Sequence, residues 1–173
     1  RTNYLTVAQK NAIVDEVRKK KMLSVETVIM DPVYVSADLG VYSSTTEELT
    51  PDIKDNTILE VVRSADSTNS IVGMQNTIFN IFQDFFRNTK LGDLLNISQL
   101  VTDILNVEGV STISTVRQDT GLRLEGLHLV LYNPIYPGED VSVISADHKL
   151  PYFKYAYLND PVKFQEKISI IKG

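Results

Sequence analysis

Hydrophobic and polar residues recur along the first third of the chain with two periods, which predict a helix followed by strands. Residues 6–21, TVAQKNAIVDEVRKKK, have the helical period, with Thr6 as N-cap and a short apolar stripe (Ala12, Ile13, Val14 and Val17). From Val33 to Tyr42 apolar and polar positions alternate, which predicts a strand in a sheet covered on one face. ILEVVR at 58–63 predicts a strand that returns beside it, and the polar residues 43–57 between them predict an exposed connection.

The most strongly amphipathic segment, SIVGMQNTIFNIFQDFFR at residues 70–87, predicts a helix with a wide apolar face. Its apolar residues cover about half of the circumference, whereas a helix on one sheet needs a stripe of only about 100°. The flank formed by Val72, Phe79 and Phe86 is therefore a candidate protein interface. The alternative is that a second helix, over residues 97–105, covers this flank within one chain.

Residues 88–117, NTKLGDLLNISQLVTDILNVEGVSTISTVR, predict a turn, a short helix and a strand. Gly92 supplies the turn, and Asn96 with Gln99 has the spacing of a capping box at the start of the helix. Gly109 can adopt the left-handed conformation that ends a helix, and the β-branched run VSTISTV follows at once.

The last third of the chain is predicted to be rich in strands. In LRLEGLHLVLY the apolar positions change parity at Gly126, which predicts a β-bulge. VSVIS and YFKYAYL are further predicted strands, and residues 159–173 are compatible with a helix starting at Asp160 or with an extended segment. The predicted fold class is α+β: a small sheet covered on one face by two central helices, followed by a β-rich segment.

Composition narrows the classes of partner and site. The net charge of −5 argues against a nucleic-acid surface, and no apolar run approaches the roughly 20 residues of a membrane span. The basic run from Arg18 to Lys21 falls where the first helix should end and complements its dipole. No cysteine is present, which excludes disulfides and thiolate chemistry. The chain starts at Arg1 without a leader, so we expect it to be a fragment of a larger protein.

Candidate chemistry is sparse. His128 lies in an alternating strand, where a structural imidazole is the usual case, and the neighbouring pair Asp147 and His148 lacks an accompanying nucleophile motif. An acidic loop lacks the ligand spacing of a calcium site (Glu47, Glu48, Asp52 and Asp55). We therefore predict no catalytic, cofactor-binding or metal-binding residue, no cofactor and no enzymatic activity.

Tyrosine is concentrated in the final third of the chain, where it suggests a second candidate interface. Tyrosine offers a large contact area with a polar tip, and it is enriched at protein interfaces. Stacking on a sugar and ordinary packing within a strand are the alternative uses of these side chains. The residues concerned are Tyr132, Tyr136, Tyr152, Tyr155 and Tyr157.

The passage LGDLLNISQLVTDILNVEGVSTISTVR, after a strand like PVYVSADLGVYSS, is similar to the baseplate J-like family of contractile phage tails. The resemblance covers roughly residues 30–117, whereas the connection at 43–57 is longer than usual and the segment after 117 has no counterpart. The residues that carry the pattern form the fold rather than a site: Gly92, Leu95, Ser98, Leu100, Ile104, Val107, Gly109 and Val110.

The resemblance implies a baseplate J-like domain over residues 1–117, with its core at 30–117 after the N-terminal helix, and a β-rich extension or second lobe at 118–173. It further implies a baseplate wedge component that forms a homodimer, joins a ring in the virion and contacts other wedge and hub proteins. Assembly would take place in the host cytoplasm, with no nucleic acid or membrane as partner. Two other hypotheses stay open: a carbohydrate-binding tail adhesin that uses the tyrosines, and a hydrolase that depends on His148.

Overall fold

The computed structural model describes residues 4–20, 29–42, 51–136, 138 and 141–173. The chain divides into two compact units, Arg1–Val33 and Tyr34–Gly173. The predicted N-terminal helix, α1 (Val7–Lys20), belongs to the first unit and ends with Arg18, Lys19 and Lys20. Thr6 and Gln9 cap it reciprocally, because the Thr6 hydroxyl accepts from the Gln9 N–H at 3.2 Å and Gln9 Oε1 accepts from the Thr6 N–H at 2.8 Å. No residue of α1 is buried, so its apolar stripe does not form a core.

The described residues of the second unit form two four-stranded sheets, a short two-stranded ladder and four helices, and the α+β prediction is confirmed. The helices are α2 (Pro51–Asp55), α3 (Ile71–Asn88), α4 (Ile97–Leu105) and α5 (Pro161–Glu166). The first sheet has the order β7 (Ser142–Ile144), β6 (Leu129–Tyr132), β1 (Val33–Leu39), β9 (Lys154–Leu158). The second has the order β10 (Ile168–Lys172), β2 (Thr57–Arg63), β4 (Val110–Arg117), β5 (Leu122–Glu125). The ladder joins β3 (Leu94–Leu95) to β8 (His148–Lys149).

The prediction that ILEVVR returns beside the first strand is wrong, because β1 and β2 lie in different sheets. β1 pairs antiparallel with β6, with Ser36 opposite Tyr132, whereas β2 pairs with β4 on one side and with β10 on the other. The alternation correctly marks Val35, Ala37 and Leu39 of β1 as buried, together with Val41 after the strand, but Ser36 on the opposite face is buried as well. Alternation identifies a face but not a neighbouring strand, and here the neighbours come from the far end of the chain.

The parity change at Gly126 is a crossing between sheets rather than the predicted β-bulge. β5 ends in the second sheet at Glu125, and β6 begins in the first sheet at Leu129. Gly126 has φ +80°, and its carbonyl accepts a hydrogen bond from the Thr115 hydroxyl at 2.9 Å. The Thr115 oxygen in turn accepts from the His128 N–H at 2.9 Å. This one buried hydroxyl therefore fixes both sides of the crossing.

Strands that follow residue 117 complete both sheets. β5 and β10 flank β2 and β4 in the second sheet, and β6, β7 and β9 surround β1 in the first. Of the described strands after residue 117, β5, β6, β8, β9 and β10 each pair with a strand that precedes residue 118, and β7 pairs with β6. The tail contains both alternatives left open by the sequence: Asp160 caps α5 by accepting from the Lys163 N–H at 3.1 Å, and β10 follows parallel to β2.

The two central helices begin at N-cap side chains, of which Asn96 is the predicted one, and lie against the second sheet. Ser70 accepts from the Gly73 N–H at 3.0 Å to start α3, and Asn96 accepts from the Gln99 N–H at 3.0 Å to start α4. The Gln99 side chain bonds to Asp103 instead of completing the capping box. α3 contacts β10, and α4 contacts β4. The sheet residues that alternate onto one buried face are Leu59, Val61, Ile113 and Ile168.

A buried ion pair links the two sheets. Lys167, between α5 and β10, donates from Nζ to the two carboxylate oxygens of Asp38 on β1 at 2.7 and 2.8 Å. A third hydrogen bond, of 2.8 Å, runs from Nζ to the carbonyl of Lys54. Burial raises the pKa of the Asp38 carboxyl above its usual value, and the Lys167 ammonium opposes that shift. All three donor positions of the ammonium are used, as burial of a charge requires.

Candidate interaction surface

The Phe-rich flank predicted as an interface is part of the core. Phe79 is only 9% exposed and Phe86 only 3%, whereas Val72 is 64% exposed. α3 contacts α4, α5, β9 and β10, and Phe82 meets Phe164 of α5 edge to face with 4.8 Å between ring centroids. The wide apolar arc therefore serves several partners within the same chain. The assignment of Phe79 and Phe86 to an interface is corrected on this ground, and Val72 stands alone on the surface.

The five tyrosines do not form one site. Tyr132 is buried beside Ile53 and Val130, and the Lys54 ammonium lies 5.7 Å from the centroid of its ring. This burial corrects the assignment of Tyr132 to an interface. Burial also raises the pKa of the Tyr132 phenol above its usual value. Tyr155 and Tyr157 are half-buried against Tyr34. The two most exposed tyrosines are Tyr136, at 60%, and Tyr152, at 80%.

Tyr152 belongs to a hydrogen-bonded structure that we call the clamp, formed by residues 91–95 and 147–154. The ladder pairs Leu94 with Lys149 and Leu95 with His148. Beyond the Leu94–Lys149 end of the ladder, the Leu150 N–H donates to the Asp93 carbonyl at 2.9 Å, and the Gly92 N–H donates to the Lys154 carbonyl at 2.9 Å. These bonds fix both segments along their length.

Two further contacts in the clamp depend on the identity of particular residues. Gly92 has φ +66°, and a Cβ atom at this position would lie 2.6 Å from the Cα of Tyr152, so only glycine allows this approach. Asp147 accepts from the Ser98 N–H at 2.8 Å, which places a carboxylate at the N-terminus of α4. The clamp is thereby joined to the helix that the sequence specifies most clearly.

Three large apolar side chains of the clamp are exposed, and we call them the clamp surface. Leu91 is 52% exposed, Leu94 is 50% exposed and Tyr152 is 80% exposed. Alternation in the ladder puts Leu94 and Lys149 on the outside, while Leu95 is fully buried on the inside with His148. Exposed apolar side chains on a backbone that is fixed by hydrogen bonds are candidates for a protein interaction site. In the sequence, only the leucines of LGDLL (residues 91–95) hint at this surface. Whether they are exposed depends on pairing with residues more than 50 positions away.

A groove adjoins the clamp surface at Leu94. Its volume is about 480 Å³, and Ile81, Phe85 and Leu94 supply its apolar walls. The charged residues that line it are all acidic: Asp84, Asp93 and Asp103. Lys149, paired with Leu94 on the outer side of the ladder, carries the opposite charge. The groove therefore combines apolar walls with three carboxylates.

The described residues considered for catalysis or metal binding do not come together in one site. Asp147 bonds to the Ser98 N–H, and the ring of His128 lies 3.2 Å from the carbonyl of Glu125. Among the described residues, no group of three or more His, Cys, Asp or Glu could hold a metal ion. Glu47 and Glu48 of the acidic loop lie outside the described residues. The described helices include none with the length and apolar content needed to cross a membrane.

Comparison with known proteins gives no relative. The chain matches no protein-family model, no curated protein and no solved structure among those with which it was compared.

Proposed function

We propose that this protein is a structural subunit of a contractile phage tail baseplate, a wedge component that joins its neighbours through protein contacts during tail assembly. The observation that carries the proposal is the clamp surface: three exposed apolar side chains on a segment held rigidly by backbone hydrogen bonds. It acts in the virion after assembly in the host cytoplasm, and it catalyses no reaction.

The residues of the baseplate J-like pattern support this proposal because they build the clamp and its attachment to α4. Gly92 allows the close approach of Tyr152, and Leu95 is the buried residue of the β3–β8 ladder. Leu100 and Ile104 are buried residues of α4. At the N-terminus of this helix the Ser98 N–H donates to Asp147. A pattern of fold-forming residues thus maintains a surface, which is what an assembly protein requires.

We propose a second copy of the chain as the partner, as the resemblance to the baseplate J-like family implies. In a two-fold dimer the same patch lies on both sides of the interface, so each side must complement itself. An axis that brought Lys149 of one copy near a carboxylate of the groove of the other would pair opposite charges. Contacts of this kind increase the rate and specificity of association, while the apolar centre supplies affinity. Other wedge and hub proteins would then attach to the dimer.

Burial of the clamp surface would contribute favourably to association. Fully burying a large apolar side chain is worth about 1.5–3 kcal/mol relative to leaving it exposed. Leu91, Leu94 and Tyr152 begin at least half exposed, so burying the rest of each at a contact is worth roughly half to four-fifths of that amount. Central apolar and aromatic anchors of this type dominate binding in most interfaces.

The adhesin alternative gains no support from the ring geometry. Tyr155 and Tyr157 meet Tyr34 at interplanar angles of 69° and 89°, and Tyr152 meets Phe153 at 85°. Tyr155 and Tyr157 are half-buried in these edge-to-face contacts, so the exposed Tyr152 has no parallel ring among them with which to form a stacking platform.

The test is sedimentation equilibrium of the double variant Leu91→Ser with Tyr152→Ser. We expect the wild type to dimerise and the variant to dissociate at least about tenfold more readily, since two partly exposed anchors are lost. The matched control is Val72→Ser with Val162→Ser, which removes two valines that are 64% and 68% exposed on α3 and α5. Both variants alter exposed side chains and should keep the wild-type circular dichroism. Equal dimerisation of the wild type and both variants would refute the role of the clamp surface.

A further inference from the structure

Strand β5 lies at an edge of the second sheet and turns backbone hydrogen-bonding groups away from it. Among the described strands its one neighbour is β4. The Gly126 N–H donates to the Ile113 carbonyl at 3.0 Å, and bonded pairs alternate with unbonded ones along an antiparallel ladder. The backbone of Leu124 therefore bonds to β4, whereas the N–H and C=O groups of Arg123 and Glu125 point outward. Such an edge is a template for a further strand.

The side chains of β5 divide between the two faces of the sheet. Leu122 and Leu124 lie on the face that the central helices cover, and both are only half-buried. Arg123 and Glu125 lie on the opposite face, are exposed, and carry opposite charges two positions apart. The Arg123 guanidinium donates from Nη1 and Nη2 to the Glu60 carboxylate on β2. A guanidinium has five N–H donors, so a second carboxylate can bind to it as well.

One antiparallel register of two β5 strands satisfies both the backbone and the charges. Outward backbone groups must face outward backbone groups, so Arg123 lies opposite Arg123, Glu125 opposite Glu125, or Arg123 opposite Glu125. The first two registers put like charges directly opposite each other, which is unfavourable. The third allows four backbone hydrogen bonds, places each guanidinium opposite a carboxylate and sets Leu124 against Leu124 on the symmetry axis. The strand therefore complements itself under a two-fold rotation.

The Glu125 carbonyl, one of the outward groups, already has a contact within the chain. Nε2 of the His128 ring lies 3.2 Å from this oxygen. A carbonyl oxygen has two lone pairs, so it can accept from the ring and also from the Arg123 N–H of a second strand. The contact is therefore compatible with strand pairing at this edge.

We propose that β5 pairs antiparallel with β5 of a second copy, with Arg123 opposite Glu125, so that the second sheets of the two copies become one continuous sheet. The contact is separate from the clamp surface and does not depend on it. A chain that forms both contacts has two neighbours, and assemblies larger than a dimer follow. Each strand contributes only four residues, far fewer than a standard interface, so we expect a dissociation constant on the order of 0.1–1 mM.

The experiment is a dilution series of the ¹⁵N-labelled variant Leu91→Ser with Tyr152→Ser, in which the clamp surface is disrupted, followed by NMR. We expect the backbone amide signals of Arg123 and Glu125 to shift with concentration over a range of about a hundredfold, because their N–H groups gain acceptors in the pair. The amide signals of β10, at the other edge of the same sheet, should not shift. The translational diffusion coefficient should fall as the β5 signals shift.

Charge variants in the same background test the register. Glu125→Arg puts an arginine opposite Arg123 and should abolish the concentration-dependent shifts, while the contact between Arg123 and Glu60 within the chain is kept. The matched control is Glu108→Arg, which makes the same change of charge at an exposed position after α4 and should leave the shifts as they are. Backbone amide spectra establish that each variant is folded.

A complementary variant tests whether the pairing can be restored. Arg123→Glu puts two glutamates opposite each other, and Glu60→Gln in the same chain prevents a new repulsion with the buried Glu60. This double variant alone should not pair. Mixed in equal amounts with Glu125→Arg, it should pair at least as tightly as two unaltered β5 strands, because every opposed pair then has opposite charges.

The proposal is overturned if the Arg123 and Glu125 signals do not move with concentration, or if Glu125→Arg and Glu108→Arg behave alike. Either result would mean that the charges protect the edge from pairing instead. Should the double variant Arg123→Glu with Glu60→Gln fail to fold, the comparison of Glu125→Arg with Glu108→Arg decides alone. Every measurement is made with the clamp surface disrupted, so failure of the β5 contact is distinguishable from failure of the clamp contact.

Discussion

Replacing Lys167 by methionine should destabilise the protein strongly, because it leaves Asp38 buried without its partner. The ammonium makes three hydrogen bonds of 2.7–2.8 Å, and both side chains of the pair are largely buried. Breaking a buried pair by removing one partner costs about 3–5 kcal/mol. For a chain of this length that corresponds to a fall in Tm of roughly 6–20 °C.

The matched control for this change is Lys163→Met, on the neighbouring helix α5. Lys163 lies 3.7 Å from Asp55, and its side chain is 59% exposed. Exposed pairs of this type contribute about 0–1 kcal/mol. Urea unfolding followed by circular dichroism measures both variants, since the chain contains no tryptophan for fluorescence. A Lys167→Met variant no less stable than Lys163→Met would refute the reasoning.

The effect of pH on Lys167→Met provides a second check of the same pair. Burial raises the pKa of Asp38 in the folded protein, and loss of the Lys167 ammonium should raise it further. A carboxyl with a raised folded pKa favours folding fully below its unfolded value, near about 3.9, and loses that contribution as pH rises through the folded value. The stability gap between wild type and variant should therefore narrow as the pH falls towards about 4 and widen towards neutrality.

Two further predictions concern the core and the clamp. Phe79→Ser with Phe86→Ser should abolish the cooperative unfolding transition, because truncating a buried phenylalanine costs about 3–5 kcal/mol at each site; a folded variant that only dissociates would restore the interface hypothesis. Gly92→Ala should lower the urea midpoint more than Gly121→Ala, because both glycines have positive φ but only at Gly92 would a Cβ lie 2.6 Å from the Cα of Tyr152. Equal midpoints for the two glycine variants would contradict the close approach.

Local features of the fold were predictable from the sequence. The cap at Asn96 is predictable because its side chain bonds to the N–H three residues later. The turn at Gly92 and the buried face of β1 likewise depend on residue type and spacing along a short segment. Signals of this range require no knowledge of which segments meet.

Strand partners and the fate of the apolar flank were not predictable in the same way. β2 pairs with β10 from the far end of the chain, with Leu59 opposite Ile168, and no pattern in either strand names the other. The width of the Phe-rich face indicated two burial partners. It did not show that the partners, which include α4 and α5, belong to the same chain. Phe79 was assigned to an interface for that reason.

The clamp surface was missed for a third physical reason. Exposure of Leu94 and burial of Leu95 follow from a ladder only two residues long, formed with His148 and Lys149. Such a ladder is too short to leave an alternating pattern, since that signal needs four or more residues. The contact of Asp147 with Ser98 spans 49 positions and has no local signature.

Site-specific photo-cross-linking from the clamp surface tests the central claim most directly. Leu91 is replaced by p-benzoylphenylalanine in a ¹⁵N-labelled chain, mixed with unlabelled protein and irradiated, with the same replacement at Val162 as control. The account predicts cross-links between labelled and unlabelled copies from residue 91, reaching the groove lined by Phe85 and Asp93 or the clamp of the second copy. Absence of cross-links between copies, or an equal yield from residue 162, would contradict assembly through this surface.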